Sequence, residues 1–135
     1  QIFKPAFPTK LKLLFLIFWQ NSCQIIIINT LDLNKALDIV SIDLENKSSI
    51  ADYLIIASGT SSRHMQALSE IVLDKFKSNG ITNCKIEGSD SNNWKLIDGI
   101  DVIVHIFNPE KRKFYELEKM WSELIPKEKI LIWKL

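Results

Sequence analysis

The sequence predicts a single α/β domain, with a mixed five-stranded sheet packed against about three helices. Three observations lead there: strand and helix periodicities alternate along the chain, an Asp-Gly pair separates two apolar runs, and no repeat or linker interrupts the order. A chain of 135 residues has the size of one compact domain and can enclose a core. Its 47% hydrophobic and 24% charged residues match soluble globular proteins, which excludes disordered and fibrous classes.

Residues 1–22 stand apart from this pattern as an apolar N-terminal extension. Lys4, Lys10 and Lys12 precede the run Leu13–Trp19, which resembles the core of a signal peptide. The run is far shorter than the roughly 20 residues a spanning helix needs, so no membrane span is expected. Gln20, Asn21 and Ser22 supply neither a small-residue cleavage site nor the small apolar residues expected before a lipoprotein cysteine at Cys23, although a secretory leader stays open.

From Gln24, the run IIIINTLDLNKA is compatible with strand through its isoleucines and with helix through Leu31, Asn34 and Lys35; a helix is expected. LDIVSIDL, from Leu37 to Leu44, reads as the first strand. Tyr53–Ala57 is apolar on both faces, as a central strand would be, and Ser58-Gly59-Thr60 breaks it. Ser61 or Ser62 then caps a helix with Met65, Leu68, Val72 and Phe76 on one stripe, ended by Asn79-Gly80. With Cys84–Glu87 as the next strand, this makes a crossover unit expected to supply the parallel part of the sheet.

Trp94–Ile97 and Val102–Phe107 flank Asp98-Gly99-Ile100-Asp101 and predict an antiparallel hairpin. Asn108-Pro109 caps a last helix whose stripe is Phe114, Leu117, Trp121 and Leu124, with Pro126 at its end. The apolar tail ILIWKL has no assigned place.

The chemistry-bearing residues form no catalytic set. Seventeen basic against sixteen acidic side chains leave a charge of +1, too little for general nucleic-acid binding, so any RNA contact has to be local. Cys23 and Cys84 lie far apart without a CxxC pair, and Asp98 and Asp101 suit a turn better than an ion; neither metal nor cofactor is expected. Ser58–Ser62 could offer amides and hydroxyls to a phosphate at a helix start, but the turn lacks a P-loop lysine and its spacing, and a capped turn is the preferred reading. Arg63, in the first turn of that helix, reads as either solvated or a contact for an anionic group. His64 and His105 lack a visible nucleophile or ligand partner, and His105 is expected to be a hydrogen-bonded core or interface residue.

Lys111, Arg112 and Lys113 place positive charge where the helix macrodipole favours anions. Two explanations stand: a solvated basic turn in which Arg112 or Lys113 pairs with Glu116, or an acidic or RNA partner. Helical phase puts Phe114, Leu117 and Trp121 on the core stripe and Tyr115, Glu118, Lys119 and Ser122 on a neighbouring face. Tyr115, Trp94 and Trp121 are the aromatic candidates for anchoring a partner.

Three blocks, SSIADYLIIASGTSSRH (Ser48–His64), WKLIDGIDVIVHIF (Trp94–Phe107) and FYELEKMW (Phe114–Trp121), together resemble the Iojap-like ribosomal silencing factors in letters, order and spacing. EGSDSNNW, from Glu87 to Trp94, resembles the lead into the family's tryptophan. The resemblance implies a silencing-factor domain over residues 23–126 followed by a tail over 127–135, a nucleotidyltransferase-like fold and a homodimer. It implies a cytoplasmic, non-enzymatic protein that binds the large ribosomal subunit through ribosomal protein fourteen, blocks association with the small subunit and represses translation. The residues expected to meet partners are Trp94, His105, Arg112, Lys113, Tyr115, Leu117, Glu118 and Trp121. The competing expectation is a nucleotidyltransferase-like enzyme or nucleotide-binding protein using the Ser58–Arg63 turn.

Overall fold

The isoleucine run that left helix and strand open is helical: α1 spans Cys23–Leu33 in the computed structural model, which describes residues 23–44, 51–88, 93–115, 119, 123–125 and 129–133. Ile25, Ile27, Ile28 and Leu31 are all buried, so packing outweighs the strand preference of β-branched side chains. Inside the same contact, Gln24 Nε2 donates to Ser41 Oγ at 2.6 Å and ties the helix to the first strand. The helix stops with Lys35 at φ 65°, while the amides of Lys35 and Ala36 donate to the carbonyls of Asp32 and Leu31. This left-handed stop usually carries glycine, which is why the sequence did not announce it.

The strands are β1 (Leu37–Asp43), β2 (Tyr53–Ser58), β3 (Lys85–Glu87), β4 (Trp94–Asp98), β5 (Val102–Phe107) and β6 (Ile130–Ile132), joined by α2 (Ser62–Ser78) and α3 (Pro109–Tyr115). They form one mixed sheet in the order β3-β4-β5-β2-β1-β6. As expected, β2 is central and β4 and β5 form an antiparallel hairpin.

Two expectations are corrected. The sheet has six strands, because the unassigned tail contributes β6, which pairs antiparallel with β1 from Val40↔Ile132 to Ile42↔Ile130. A three-residue strand is too short to show alternation, and its partner lies some ninety residues earlier in the chain. The parallel neighbour of β2 is also not β3 but β5, in register from Tyr53↔Val102 to Ser58↔Phe107. Burial explains the choice: β5 is buried along nearly its whole length and takes the interior, whereas Lys85 and Glu87 are exposed and suit an edge.

Alternation along the strands creates two cores. Ile55, Ala57, Val104 and Ile106 face α1 and α2, against Ile27, Ile28, Met65, Leu68, Val72 and Phe76. Leu54, Ile56, Val40, Ile42 and Phe107 face the other way, with Ile125 and Ile130 and the half-buried Trp94 and Ile103. The sheet therefore keeps one face under two helices and turns Trp94 and Phe107 to the other.

The ends of α2 follow the sequence closely. Ser61 is extended and its side chain accepts the amide of His64 at 3.1 Å; Gly80, at φ 88°, lets the amides of Gly80 and Ile81 reach the carbonyls of Lys77 and Phe76. Ser61→Ala is expected to lower stability by about 1 kcal/mol in chemical denaturation, through loss of the cap.

The Asp-Gly hairpin forms for a different reason from the expected one. Positive φ falls on Ile100 (73°), whose amide donates to Asp98 Oδ1 at 2.9 Å, while Gly99 supplies room. A Cβ at Gly99 would lie 2.5 Å from the ring of Phe76. Among the described residues no helix is long and apolar enough to cross a membrane.

Candidate functional site

The register of the hairpin sets Trp94 opposite Phe107 and Leu96 opposite His105, which places all four on the face turned away from α1 and α2. The rings of Trp94, His105 and Phe107 are nearly parallel, with interplanar angles of 15°, 9° and 7° and centroids 5.6 to 6.0 Å apart. Trp94 Nε1 donates to His105 Nδ1 at 2.9 Å. An indole can only donate, so His105 Nδ1 is the acceptor and the ring's proton sits on Nε2. Burial pushes the His105 pKa down to about 4, which keeps the imidazole neutral and available as that acceptor near pH 7.

Beside the stack, Trp94 and Leu96 line a shallow groove with Glu87 and Gly88. Gly88 is required there: its φ is 74°, and a Cβ would lie 2.7 Å from the Trp94 carbonyl oxygen. The groove thus combines an aromatic plate, an aliphatic side chain and one carboxylate on the surface of the sheet.

Arg112 reaches the same row of the sheet from α3. Asn108 Oδ1 accepts the Glu110 amide and the Asn108 carbonyl accepts the Arg112 amide, which caps the helix as the Asn-Pro pair predicted. Arg112 is only 9% exposed, and its Nη1 donates to Ser58 Oγ at 2.9 Å. Ser58 is the register partner of Phe107, itself opposite Trp94. The solvated-turn explanation therefore fails for Arg112, whose guanidinium points inward and ties α3 to the end of β2, while Lys111 beside it is exposed.

The structure thus brings Trp94 and His105 into direct contact and ties Arg112 to Ser58, in the row of Trp94 and Phe107. Lys113 and Tyr115 lie in α3 with side chains outside the described residues, and Leu117, Glu118 and Trp121 lie outside them altogether. Sequence reasoning missed Phe107 and Leu96, although the period-two spacing of Phe107 from His105 across a hairpin from Trp94 and Leu96 was available to find them.

The Ser58–Ser62 turn is occupied by its own bonds. Gly59 N donates to the Phe107 carbonyl, Thr60 N to His64 Nδ1 at 2.9 Å, His64 N to Ser61 Oγ and Met65 N to the Ser61 carbonyl. His64 Nε2 in turn donates to the Asn34 carbonyl at 2.8 Å, so this histidine fastens α1 to the start of α2. A phosphate bound through the Gly59, Thr60 or His64 amide would have to displace these partners. Asp98 is used by its turn, and among the described residues no three His, Cys, Asp or Glu side chains converge on a point that could hold a metal ion.

The sequence model of the family described as "Ribosomal silencing factor during starvation" matches residues 20–132. Ribosomal silencing factor RsfS of Zymomonas mobilis is 46% identical over 97 residues, covering 72% of this chain and 73% of that protein. A mouse protein named "Mitochondrial assembly of ribosomal large subunit protein 1" is 33% identical over 99 residues, covering 71% of this chain and 43% of its own length. A crystal structure of a Chromobacterium violaceum protein superposes with a TM-score of 0.70 at 33% identity, over 74% of this chain and 83% of that one.

Proposed function

The chain belongs to the Iojap-like ribosomal silencing factor family, and from that premise we propose that it binds the large ribosomal subunit and represses translation by keeping the small subunit away. In this reading it acts in the cytoplasm as a homodimer, with ribosomal protein fourteen as its main contact and a local contact to ribosomal RNA. The nucleotidyltransferase-like sheet is a scaffold, and no transfer chemistry is needed: exclusion requires a complementary surface only.

The observation that carries the reading is the half-buried Trp94, packed on the buried His105 and Phe107 beside the Leu96 groove, since a tryptophan backed by other rings is the kind of residue that anchors protein interfaces. Lys113, Tyr115, Leu117, Glu118 and Trp121, which follow Arg112 in the chain, are proposed to extend that surface. The rival, a nucleotide-binding or transferring protein, relies on the Ser58–Arg63 turn, and the internal bonding of that turn counts against it.

Co-sedimentation with isolated large subunits tests the proposal. The wild-type chain should pellet with the subunit, and Tyr115→Ala or Glu118→Ala should weaken binding by about ten-fold while thermal unfolding stays near wild type. Absence of co-sedimentation, or stabilisation by a nucleotide with magnesium in its place, overturns the reading.

A further inference from the structure

A half-buried tryptophan on a sheet face has two side-chain torsions, and its N–H must find an acceptor wherever the ring settles. Here the ring packs nearly parallel to those of His105 and Phe107 and is hydrogen-bonded through Nε1 to His105 Nδ1. His105 sits on a central strand, 8% exposed, between Leu96 on β4 and Ile56 on β2, so its own ring has little freedom. Its place within an otherwise apolar strand is an anomaly that packing alone does not explain, because phenylalanine or leucine would fill such a site without a polar group to satisfy. The distinctive contribution of an imidazole is an acceptor nitrogen in the plane of a stackable ring.

We infer that His105 is a positioning residue whose Nδ1 fixes the Trp94 indole, so that the accessible part of Trp94 and Leu96 in the groove form a preorganised docking surface for the partner. The inference rests on the proposed ribosome-binding reading and adds to it a division of labour. Trp94 and Leu96 touch the partner, and His105 acts through Trp94. Preorganisation of this kind raises affinity by removing the ordering of the indole from the binding step.

The test compares His105→Phe, which keeps a stackable ring without the acceptor, with His105→Asn, whose Oδ1 occupies nearly the place of Nδ1. Trp94 is followed by its indole N–H resonance, identified among the four tryptophans by its loss in Trp94→Phe. In wild type this proton should exchange slowly. His105→Phe should stay folded, expose the proton to exchange and lower large-subunit affinity at least about five-fold, with His105→Asn recovering most of both effects. Wild-type affinity in His105→Phe, or an unchanged indole proton, overturns the inference. Should His105→Phe fail to fold, Trp94→Phe removes the donor instead: combining it with His105→Leu, which lacks the acceptor, should cost no further affinity, and additive losses overturn the inference. A wild-type chain that does not bind the subunit removes the functional reading first and this inference with it. Full binding by His105→Phe removes the inference alone.

Discussion

Phe76→Ala is expected to destabilise the chain by about 3 to 5 kcal/mol, read from the shift of its denaturant midpoint at unchanged slope. Phe76 is fully buried in the last turn of α2, and its ring closes on Gly99 in the β4–β5 turn, so it joins the helical layer to the hairpin that carries the aromatic stack. Gly99→Ala attacks the same contact from the other side, since its methyl would enter a space 2.5 Å from the Phe76 ring. Overpacking of this kind costs about 1 to 3 kcal/mol. The two substitutions together should cost less than their sum, because the void left by the ring receives the methyl. Strict additivity would contradict the assigned contact.

Stability is expected to fall with pH between about 6.5 and 4, by about 3 kcal/mol more in wild type than in His105→Phe. The sign follows from burial: the folded imidazole is held neutral down to about pH 4, whereas in the unfolded chain it takes up a proton near its ordinary value of 6.5. The unfolded state thus binds the extra proton throughout that window, and stability is full above it and lost as pH drops. Carboxylates titrate in both proteins, so the difference between the two denaturation profiles isolates His105. Parallel profiles would mean that the imidazole is not held neutral by burial.

Much of the fold was legible in the sequence because the relevant signals were local. Ser61, Asn79-Gly80 and Asn108-Pro109 mark helix ends through bonds to their near neighbours, and Asp98-Gly99 marks a turn. What the sequence left unreadable was non-local. Nothing near Ile130–Ile132 says that β1 awaits it, and nothing near Val102–Phe107 says that β2, across α2 and two further strands, is its parallel neighbour. The site divides in the same way. Trp94 and His105 could be named singly, but their hydrogen bond depends on hairpin register, and the inward turn of Arg112 depends on Ser58, 54 residues earlier.

A subunit-joining assay puts the central claim to its most direct test. Large subunits incubated with the chain and then mixed with small subunits should show reduced formation of joined ribosomes, in proportion to the chain bound, with the rate seen without the chain restored when Trp94 and Leu96 are both replaced by alanine. Undiminished joining at saturating, demonstrably bound chain would contradict the claim that this protein silences by excluding the small subunit.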